Sequence, residues 1–379
     1  MSEDFVRRLP DAGFAYRVRD SGSSVFHLDV QMILLLVAIA SYGLLILYSA
    51  VGQESAPVTA QSAKIGIAFV IMVAMAQISP IFYLRIAPWV FLIGVIMLVL
   101  VMFFGTTVNG SQRWLRIPAI FSFQPSEIMK LMVPMILAWY FHDRHLPPRM
   151  KHLFWAAVMI AVPVLLIARQ PDLGTALIIG ASGLLVLFLA GISWRYMVTV
   201  IGAAVVSSPA LWFVLRDYQQ GRILTFLNPE RDPLGDGWNI IQSKTAIGSG
   251  GLFGKGLGEG TQSHLEFLPE SQTDFIIAVL AEELGLVGVM GLLILYLLIA
   301  GRGVMISIQA QDTFGRLLAG SITFTFFIYV FINIGMVSGI VPVVGVPLPL
   351  VSYGGTSIIT LFAGFGIIMS IYSHRRITL

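Results

Sequence analysis

Apolar stretches of roughly 16 to 24 residues recur along almost the whole chain, separated by polar segments. A helix of that length crosses about 30 Å of hydrocarbon. The alternating pattern of strands is absent, and lipid cannot satisfy open backbone groups, so the crossing segments are expected to be helices. Ten spans are predicted, over residues 30–50, 61–79, 86–104, 126–141, 153–168, 173–190, 196–215, 275–300, 316–337 and 356–373. The pattern predicts an all-α polytopic membrane protein with one transmembrane domain over residues 30–373.

Basic residues in the short connecting segments indicate the orientation of these helices. An even number of spans places both ends of the chain on the same side. Besides the arginines of the N-terminal tail, the segments on that side carry Arg85, Arg144, Arg149, Lys151, Arg195, Arg302, Arg316, Arg375 and Arg376. Positive residues favour the inner side, so both ends are predicted to be cytoplasmic. The tails are residues 1–29 and 374–379, and the first lacks the early apolar run of a signal peptide.

Composition narrows the class of protein further. Hydrophobic residues make up 57% of the chain and charged residues 11%, against roughly one quarter charged in soluble domains. The net charge of +3 is small, and no basic patch is interleaved with aromatic residues, so no nucleic-acid partner is expected. Cysteine is absent and the six histidines lack the spacing of zinc ligands, which argues against disulfides and zinc sites.

Two segments interrupt the apolar pattern. Residues 216–274 are expected to form a large extracytoplasmic loop with many glycines, between the seventh and eighth predicted spans. Long segments of this kind are uncommon unless they are functional or disordered. Residues 338–355, ahead of the last span, carry no charge and too many prolines for a straight helix. This second segment could fold back into the membrane wherever protein satisfies its backbone.

Asp274 is the first candidate for chemistry, because it lies where the long polar segment ends and a long apolar helix begins. A carboxylate at this place could act on a polar head group while the lipid tail stays in the bilayer. Ser271 suits an N-cap, which would put Asp274 in the first helical turn. There the helix dipole lowers the pKa of the carboxyl, whereas burial raises it. The alternative is that Asp274 only stabilises the start of the helix.

Glu127 and Lys130 form a second candidate pair. They lie three residues apart on one face of an otherwise apolar span. Ionisable groups at membrane depth are costly and usually face a cavity or each other. The pair either only fixes helix packing or forms the wall of a polar cavity in which Lys130 meets an anionic substrate group. Arg113 and Gln124, just outside the span, could extend the positive rim of that cavity.

Other polar residues lie near the ends or on the faces of predicted helices. Asp172 suits a cap at the start of the sixth span, and a structural role is favoured for it. Glu282 lies about 80° round the helix from Asp274 and is expected to bond a neighbouring helix or line a polar cavity. Four residues before the last span either donate to a sugar or phosphate or only form a turn: Ser352, Tyr353, Gly354 and Gly355.

Several sequence blocks follow one another along most of the chain in a fixed order. They are Ser111-Gln-Arg-Trp-Leu115, Gln124-Pro-Ser-Glu-Ile-Met-Lys130, Gln170-Pro-Asp-Leu-Gly-Thr175, Asp232-Pro-Leu-Gly235, Gly248-Ser-Gly-Gly-Leu-Phe-Gly-Lys-Gly-Leu-Gly258, Leu268-Pro-Glu270, Thr273-Asp-Phe275 and Leu348-Pro-Leu-Val-Ser-Tyr-Gly-Gly355. With these blocks the chain resembles the SEDS family (shape, elongation, division and sporulation). Gln242-Ser-Lys244 and Gly254-Lys-Gly256 resemble its RodA-type elongation branch rather than its division branch.

This resemblance implies a fold and an activity. Members of the family have ten transmembrane helices with both ends cytoplasmic, and they lie in the bacterial cytoplasmic (inner) membrane. They are peptidoglycan glycosyltransferases that polymerise lipid II into glycan strands at the outer face of that membrane. The implied partners, besides membrane lipids, are a class B penicillin-binding protein, which is a transpeptidase, and other proteins of the elongation complex.

The resemblance also implies roles for particular residues. The essential acid of the long segment corresponds to Asp274, a general base for the acceptor sugar hydroxyl, and the buried pair corresponds to Glu127 and Lys130. Many relatives have His where this chain has Gln272, so an imidazole base is not available here. The leaving undecaprenyl pyrophosphate needs cations. The candidate cations in this chain are Lys130, Arg113, Lys244 and Lys255.

Two other functions fit the same sequence. A flippase that moves lipid II across the membrane would also use the intramembrane pair of Glu127 and Lys130. A scaffold without enzymatic activity would hold a cell-wall synthase in place and would not depend on Asp274. No organic cofactor is expected, and a divalent cation, Mg²⁺ or Mn²⁺, stays open as an addition to the lysines and arginines.

Overall fold

The computed structural model describes residues 27–108, 111–117, 121–213, 217–231, 235–261 and 270–374. Most of both predicted tails, together with Leu268 and Pro269, lies outside the described residues. The helices are α1 Val30–Ala50, α2 Ser55–Gln77, α3 Pro80–Phe104, α4 Pro125–Phe141, α5 Met150–Arg169, α6 Leu173–Leu189, α7 Trp194–Trp212, α8 Asp217–Leu227, α9 Asp236–Gly250, α10 Ile276–Gln309, α11 Thr313–Val337 and α12 Thr356–Ser373. A helix therefore occupies each of the ten positions predicted from the apolar pattern.

Seven of the described helices are long and apolar enough to cross a membrane: α1, α2, α3, α5, α10, α11 and α12. Helix α6 is equally apolar but only 17 residues long. Large apolar side chains are exposed along these helices, for example Val70 at 69% and Leu165 at 64%. An exposed apolar surface of this extent is unfavourable in water and favourable in contact with lipid. The prediction of an all-α, multi-pass membrane protein is confirmed.

Helices α4 and α11 form the centre of the bundle. Helix α4 contacts α3, α5, α6, α11 and α12, and nearly all of its residues are buried. Helix α11 contacts α4, α6, α10 and α12. This central place explains how α4 can carry Glu127 and Lys130, since their charges face protein rather than lipid.

The segment between α3 and α4 forms a small antiparallel sheet, so the expectation that the chain lacks strands is wrong there. Its strands, in the order β1-β2-β3, are β1 Thr106–Val108, β2 Ser111–Ile117 and β3 Phe121–Phe123. Thr106 pairs with Trp114, and Leu115 pairs with Phe123. Strands this short have too few positions for an alternating pattern to be recognised. The sheet holds Arg113 in its middle strand, beside the start of α4.

Helix α10 is longer than the predicted span 275–300, and it is broken. It runs over 34 residues and contains one non-helical residue, Gly285, at φ 64° and ψ −162°. Every residue from Ile276 to Glu283 is buried, whereas Leu286 and Val287 are 51% and 59% exposed. The part after Gly285 is roughly 36 Å long and can cross the membrane alone. The first part is apolar because it packs inside the protein. Hydropathy cannot distinguish a helix that is apolar for this reason from one that contacts lipid.

The glycine-rich segment that follows α9 satisfies the backbone at this break. Four backbone hydrogen bonds of 2.9 to 3.1 Å join the two segments: Lys255 N to Glu282 O, Gly256 N to Glu283 O, Leu286 N to Gly251 O, and Val287 N to Leu252 O. A Cβ atom on Gly254 would lie 2.0 Å from the carbonyl oxygen of Glu283. Only glycine fits so close to the helix backbone, which explains the block of glycines seen in the sequence.

A pair of glycine substitutions in α9 tests this close approach. A Cβ atom on Gly250 would lie 1.9 Å from the carbonyl oxygen of Ala281, whereas one on Gly248 meets nothing within 4 Å. Gly250→Ala is expected to destabilise the protein by about 1–3 kcal/mol, because α9 must move away from α10. The matched control Gly248→Ala should be neutral or stabilising by up to about 1 kcal/mol. Thermal unfolding in detergent measures both, and equal effects would contradict the close packing.

Candidate active site

Asp274 lies in a turn just before α10, not in the first turn of that helix. The backbone N–H groups of Thr273 and Phe275 both donate to the carbonyl oxygen of Glu270, and Phe275 is the N-cap residue. The prediction that Ser271 caps the helix is therefore wrong. Because the turn Glu270–Phe275 precedes the helix, Asp274 is not in the first helical turn. The expected lowering of its pKa by a place in that turn therefore does not apply.

Burial decides the acidity of Asp274. The side chain is half-buried. Loss of hydration raises the pKa of the Asp274 carboxyl to about 6, helped by the negative charge of Glu270 and opposed by Arg222 and Arg113. A carboxylate with this pKa is a much better base than an ordinary aspartate and is still ionised at neutral pH.

The uncharged, proline-rich residues 338–355, here called the proline segment, pack inside the bundle as expected. Val343, Val346, Leu348, Leu350 and Val351 are all buried. Neighbouring helices satisfy its backbone through hydrogen bonds of 2.6 to 3.3 Å: Tyr296 Oη donates to Pro349 O, Gln61 Nε2 donates to Ser352 O, and Gly354 N donates to Gln61 Oε1. Side chains and backbone groups of the protein therefore provide the hydrogen bonds that lipid could not provide.

Ser352 does not offer its hydroxyl to a substrate, so that prediction is wrong. It is 2% exposed, donates to Thr273 O at 2.5 Å and accepts from Leu348 N at 2.7 Å. Tyr353 donates its backbone N–H to Gln272 O at 2.8 Å, and Lys64 Nζ lies 3.9 Å from the centre of its ring. These residues hold the Asp274 turn instead.

Gly354 and Gly355 differ from Ser352 in that they border open space. A Cβ atom on either glycine would meet nothing within 4 Å. Gly355 is the N-cap residue of α12 and has no side chain to bond the first N–H groups of that helix. A role for these two glycines in binding a substrate therefore stays a prediction.

Arg113, Gln124 and Asp172 form one cluster at the end of the bundle where α10 begins, here called the Asp274 end. Asp172 Oδ2 accepts from Gln124 Nε2 at 2.8 Å and lies 3.6 Å from Arg113 Nη1. Its other oxygen accepts from Thr175 N at 3.2 Å, so Asp172 is the N-cap of α6, as predicted. The buried Nε of Arg113 has no hydrogen-bond partner within the described residues.

The proline segment joins this cluster to Asp274. A Cβ atom on Gly174, at the start of α6, would lie 2.9 Å from Val344 O. A Cβ atom on Gly345 would lie 3.5 Å from Asp274 Oδ2. Consecutive residues of one segment thus touch the start of α6 and the Asp274 carboxylate. Arg113 and Asp274, which were predicted from separate motifs, belong to one region.

Glu127 and Lys130 line a cavity inside the bundle, as one of the two interpretations required. Lys130 Nζ lies 2.5 Å from Glu127 Oε1 and 4.5 Å from the ring centre of Tyr329. A cavity of about 20 Å³, enough to hold a water molecule, is lined by Glu127, Lys130, Leu131, Ile322, Thr325, Phe326, Tyr329, Ser357, Thr360, Leu361, Gly364 and Phe365. Glu127 Oε2, Thr325 Oγ1 and Tyr329 Oη are buried without a partner among the described residues. Unpaired buried polar atoms call for water or a ligand.

Lys255 and Glu282 bond each other, which corrects the interpretation of Lys255 as a binder of pyrophosphate. Lys255 Nζ lies 2.6 Å from Glu282 Oε1 and donates to Thr261 Oγ1 at 3.0 Å. Glu282 is fully buried and also accepts from Thr261 N at 3.0 Å. The pair fastens the glycine-rich segment to the break in α10. Glu282 therefore has a structural role, but its partners Lys255 and Thr261 lie in the segment after α9 rather than in a neighbouring helix.

The cations that act on Asp274 are Arg113 and Arg222. Lys244 is exposed on α9 beside the start of the proline segment, where a Cβ atom on Gly339 would come 2.6 Å from its Nζ. Arg222 is in α8 and was missed in the sequence, because a cation in a long segment of mixed charge carries no signal for the acid it faces. Gln219, one helical turn before Arg222, is buried, so this part of α8 packs against the protein, which the sequence does not show.

The fold and this region define a multi-pass membrane protein with an acid–cation site at one end of the bundle and a small cavity beside the Glu127–Lys130 pair within it. Residues 27–377 match the model of the family described as cell cycle protein, which is named for FtsW, RodA and SpoVE. A relative from Escherichia coli, peptidoglycan glycosyltransferase MrdB, is 53% identical over 92% of this chain and 95% of its own length. The chain therefore belongs to the FtsW, RodA and SpoVE family.

Further comparisons agree with this family. A probable peptidoglycan glycosyltransferase FtsW from Geobacter metallireducens is 39% identical over 75% of this chain and 76% of its own length. A solved structure described as showing coordination of polymerization and crosslinking by a peptidoglycan synthase complex matches with TM-score 0.80 and 30% identity, over 91% and 97% of the chains. The rod shape determining protein RodA of Thermus thermophilus matches with TM-score 0.69 and 27% identity, over 91% and 96%.

Proposed function

We propose that this protein is the peptidoglycan polymerase of cell elongation, which joins lipid II into glycan strands by inverting glycosyl transfer with Asp274 as the general base. One observation carries the assignment of Asp274: a half-buried carboxyl with a pKa of about 6, on which the positive charges of Arg113 and Arg222 act. The relatives named peptidoglycan glycosyltransferase support the reaction, since the E. coli protein aligns over nearly all of both chains.

The proposed topology has ten spans, with both ends in the cytoplasm and residues 216–274 in the periplasm. It is supported by helices at all ten predicted positions and by the distribution of Lys and Arg. In this orientation the Asp274 end faces outward from the bacterial cytoplasmic membrane. The polar part of lipid II would then reach Asp274 while its prenyl chain stays in lipid.

The reaction moves one proton and exchanges one bond. An acceptor sugar hydroxyl attacks the anomeric carbon of the donor, forming a C–O bond on the face opposite the leaving group. The bond from that carbon to the pyrophosphate breaks, and the electron pair leaves with undecaprenyl pyrophosphate. Asp274 takes the hydroxyl proton, and one carboxylate suffices because the leaving group is already good. Arg113 and Arg222 stabilise the charge that develops on the pyrophosphate.

A divalent cation is not needed to complete this proposal. Among the described residues, no group of three or more His, Asp and Glu side chains could hold a metal ion. Mg²⁺ or Mn²⁺ would therefore depend on the pyrophosphate oxygens for most of its ligands, which is how Mg²⁺ commonly binds at phosphates.

The proposed partners are a class B penicillin-binding protein and other proteins of the elongation complex. They are supported by the fold match to the structure of a peptidoglycan synthase complex. Membrane lipids surround the exposed apolar faces of α3 and α10, where Phe103 and Ile308 are each 73% exposed.

The pH dependence of the rate is a direct test of the base. Asp274 acts only when ionised, so the rate should rise with pH, reach half of its maximum near pH 6 and level off above pH 7. Glu270→Gln removes the negative charge that raises the pKa of Asp274, so its curve should shift to lower pH. Initial rates with lipid II between pH 5 and 8 measure both. A rate independent of pH over this range would contradict Asp274 as the base.

A flippase is the second candidate, because the cavity at Glu127 and Lys130 lies within the bundle. Purified protein in detergent has no membrane sides between which a lipid could move. We expect it to form glycan from lipid II there, with or without the transpeptidase and a divalent cation. If glycan forms only when an active polymerase of another kind is added, the flippase or the scaffold is the better account.

A further inference from the structure

The three carbonyl groups at the centre of the Asp274 turn each accept a hydrogen bond from a different distant group. Tyr353 N donates to Gln272 O at 2.8 Å. Ser352 Oγ donates to Thr273 O at 2.5 Å, and the side chain of Asn333 donates to Asp274 O at 2.9 Å. Because Asp274 precedes α10, no helical hydrogen bonds fix this part of the backbone. Within the turn, Thr273 N and Phe275 N bond Glu270 O, and the three distant contacts join the turn to α11 and to the proline segment.

Asn333 is the most unusual of these donors. It is fully buried in α11, where its neighbours Ile332 and Ile334 are apolar. Its Nδ2 donates both to Asp274 O and, at 2.7 Å, to Val346 O of the proline segment. A buried amide within a membrane helix is costly and is kept where it makes contacts that an apolar residue cannot make. Here those contacts join α11 to the Asp274 turn and to the proline segment.

Ser352 makes a second link of the same kind. Its hydroxyl donates to Thr273 O and also accepts from Leu348 N, so it joins the turn to the proline segment. The segment then brings Gly345 against the Asp274 carboxylate. Asn333 and Ser352 therefore each join the Asp274 turn to the proline segment.

We propose that Asn333 and Ser352 are positioning residues, which hold the backbone of residues 272–274 so that the Asp274 carboxylate faces the sugar hydroxyl. This inference rests on the proposed role of Asp274 as the base. A displacement of about 1 Å at a catalytic group can lower a rate about 100-fold. Neither residue needs to touch the substrate, and the hydroxyl of Ser352 has no donor left for it.

The experiment compares Asn333→Ala and Ser352→Ala with Ser321→Ala. Ser321 is a matched control, since it is fully buried in α11 and donates to the backbone of Ser182, away from the Asp274 turn. For each purified protein, kcat and KM for lipid II are measured from pH 5 to 8, together with thermal unfolding. Ser352→Thr, which keeps the hydroxyl, serves as the conservative variant.

Asn333→Ala and Ser352→Ala are each expected to lower kcat about 10- to 100-fold and to change KM less than about threefold. The pH of half-maximal rate should fall below 6, because a loosened turn exposes Asp274 to water and lowers its pKa. Glu270, Arg113 and Arg222 remain as the charged groups acting on Asp274. Ser352→Thr should recover most of kcat, and Ser321→Ala should keep the wild-type kcat and pH profile.

Unchanged kcat and pH profile in both alanine variants would overturn the positioning role, even while Asp274→Asn remained inactive. The same fall in kcat in Ser321→Ala would overturn it as well, since any lost buried hydrogen bond would then suffice. An active Asp274→Asn protein would instead refute the proposed base, so the two failures are distinguishable. If an alanine variant does not fold, Ser352→Thr and Asn333→Gln provide the kinetic comparison. Asn333→Gln displaces the amide by one methylene. A wild-type kcat and a wild-type pH profile in that variant would count against the proposal.

Discussion

Replacing Asp274 by asparagine is expected to lower the rate of glycan synthesis by about 10²- to 10⁴-fold, the usual contribution of a general base. Asparagine keeps the volume of the side chain and cannot accept a proton. Folding should be intact, because the backbone of Asp274, rather than its carboxylate, bonds Asn333. Polymerisation of lipid II by purified protein, followed by separation of the glycan chains, measures the effect.

The matched control for Asp274→Asn is Glu259→Gln. Glu259 is an exposed acid in the same long segment and is expected to keep the wild-type rate. Thermal unfolding gives a second check. The pKa of Asp274 is raised in the folded protein, so its ionised form opposes folding above about pH 6. The melting temperature of Asp274→Asn at pH 8 should therefore equal or exceed that of the wild type. A variant with near wild-type rate would refute the assignment.

The buried pair of Glu127 and Lys130 is expected to give the second large effect. Lys130→Met leaves the Glu127 carboxylate buried without its cation, which should destabilise the protein by about 3–5 kcal/mol and abolish polymerisation. The double variant Glu127→Gln with Lys130→Met removes both charges at similar volume. Replacing a buried pair by neutral groups is often neutral for stability, so folding should recover.

The rate of the double variant separates the two interpretations of the pair. We expect it to stay at least about tenfold low if the unpaired atoms of the cavity bind the substrate rather than water. Recovery of the full rate would show that the pair only fixes packing. The control is an ion pair 2.7 Å long at the opposite end of the bundle, between the buried Asp29 and the half-buried Arg302. Asp29→Asn with Arg302→Met should leave the rate near wild type.

The positions of the helices could be predicted from the sequence almost completely. Apolar length is a local property of the chain, so each predicted span has a helix, including α4 with its buried Glu127 and Lys130. The start of α6 was predicted with its cap, Asp172, for the same reason. Two kinds of exception remain. The first part of α10 is apolar through contact with protein rather than lipid. Helices α8 and α9 lie within residues 216–274, which were predicted to be a loop, so both were missed.

The site was predicted in its members and only partly in their roles. Asp274 and the Glu127–Lys130 pair are where their motifs suggested. Arg113 was predicted at the rim of the cavity, but it pairs with Asp172 and acts on Asp274 instead. Lys255 and Ser352 were assigned to the substrate, but Glu282 and Thr273 already bond them. Motifs identify polar residues that matter, and they do not say whether a substrate or another residue is the partner.

The sequence by itself determined the class of protein, the order of its helices and the acid at residue 274, because hydropathy and motif spacing depend on neighbours along the chain. Only the tertiary structure decided the pKa of that acid, the place of Arg222 and the contacts of Asn333. Each of these depends on groups far apart in sequence, such as Asn333 and Asp274, whose separation in space is set by the packing of α11 against α10.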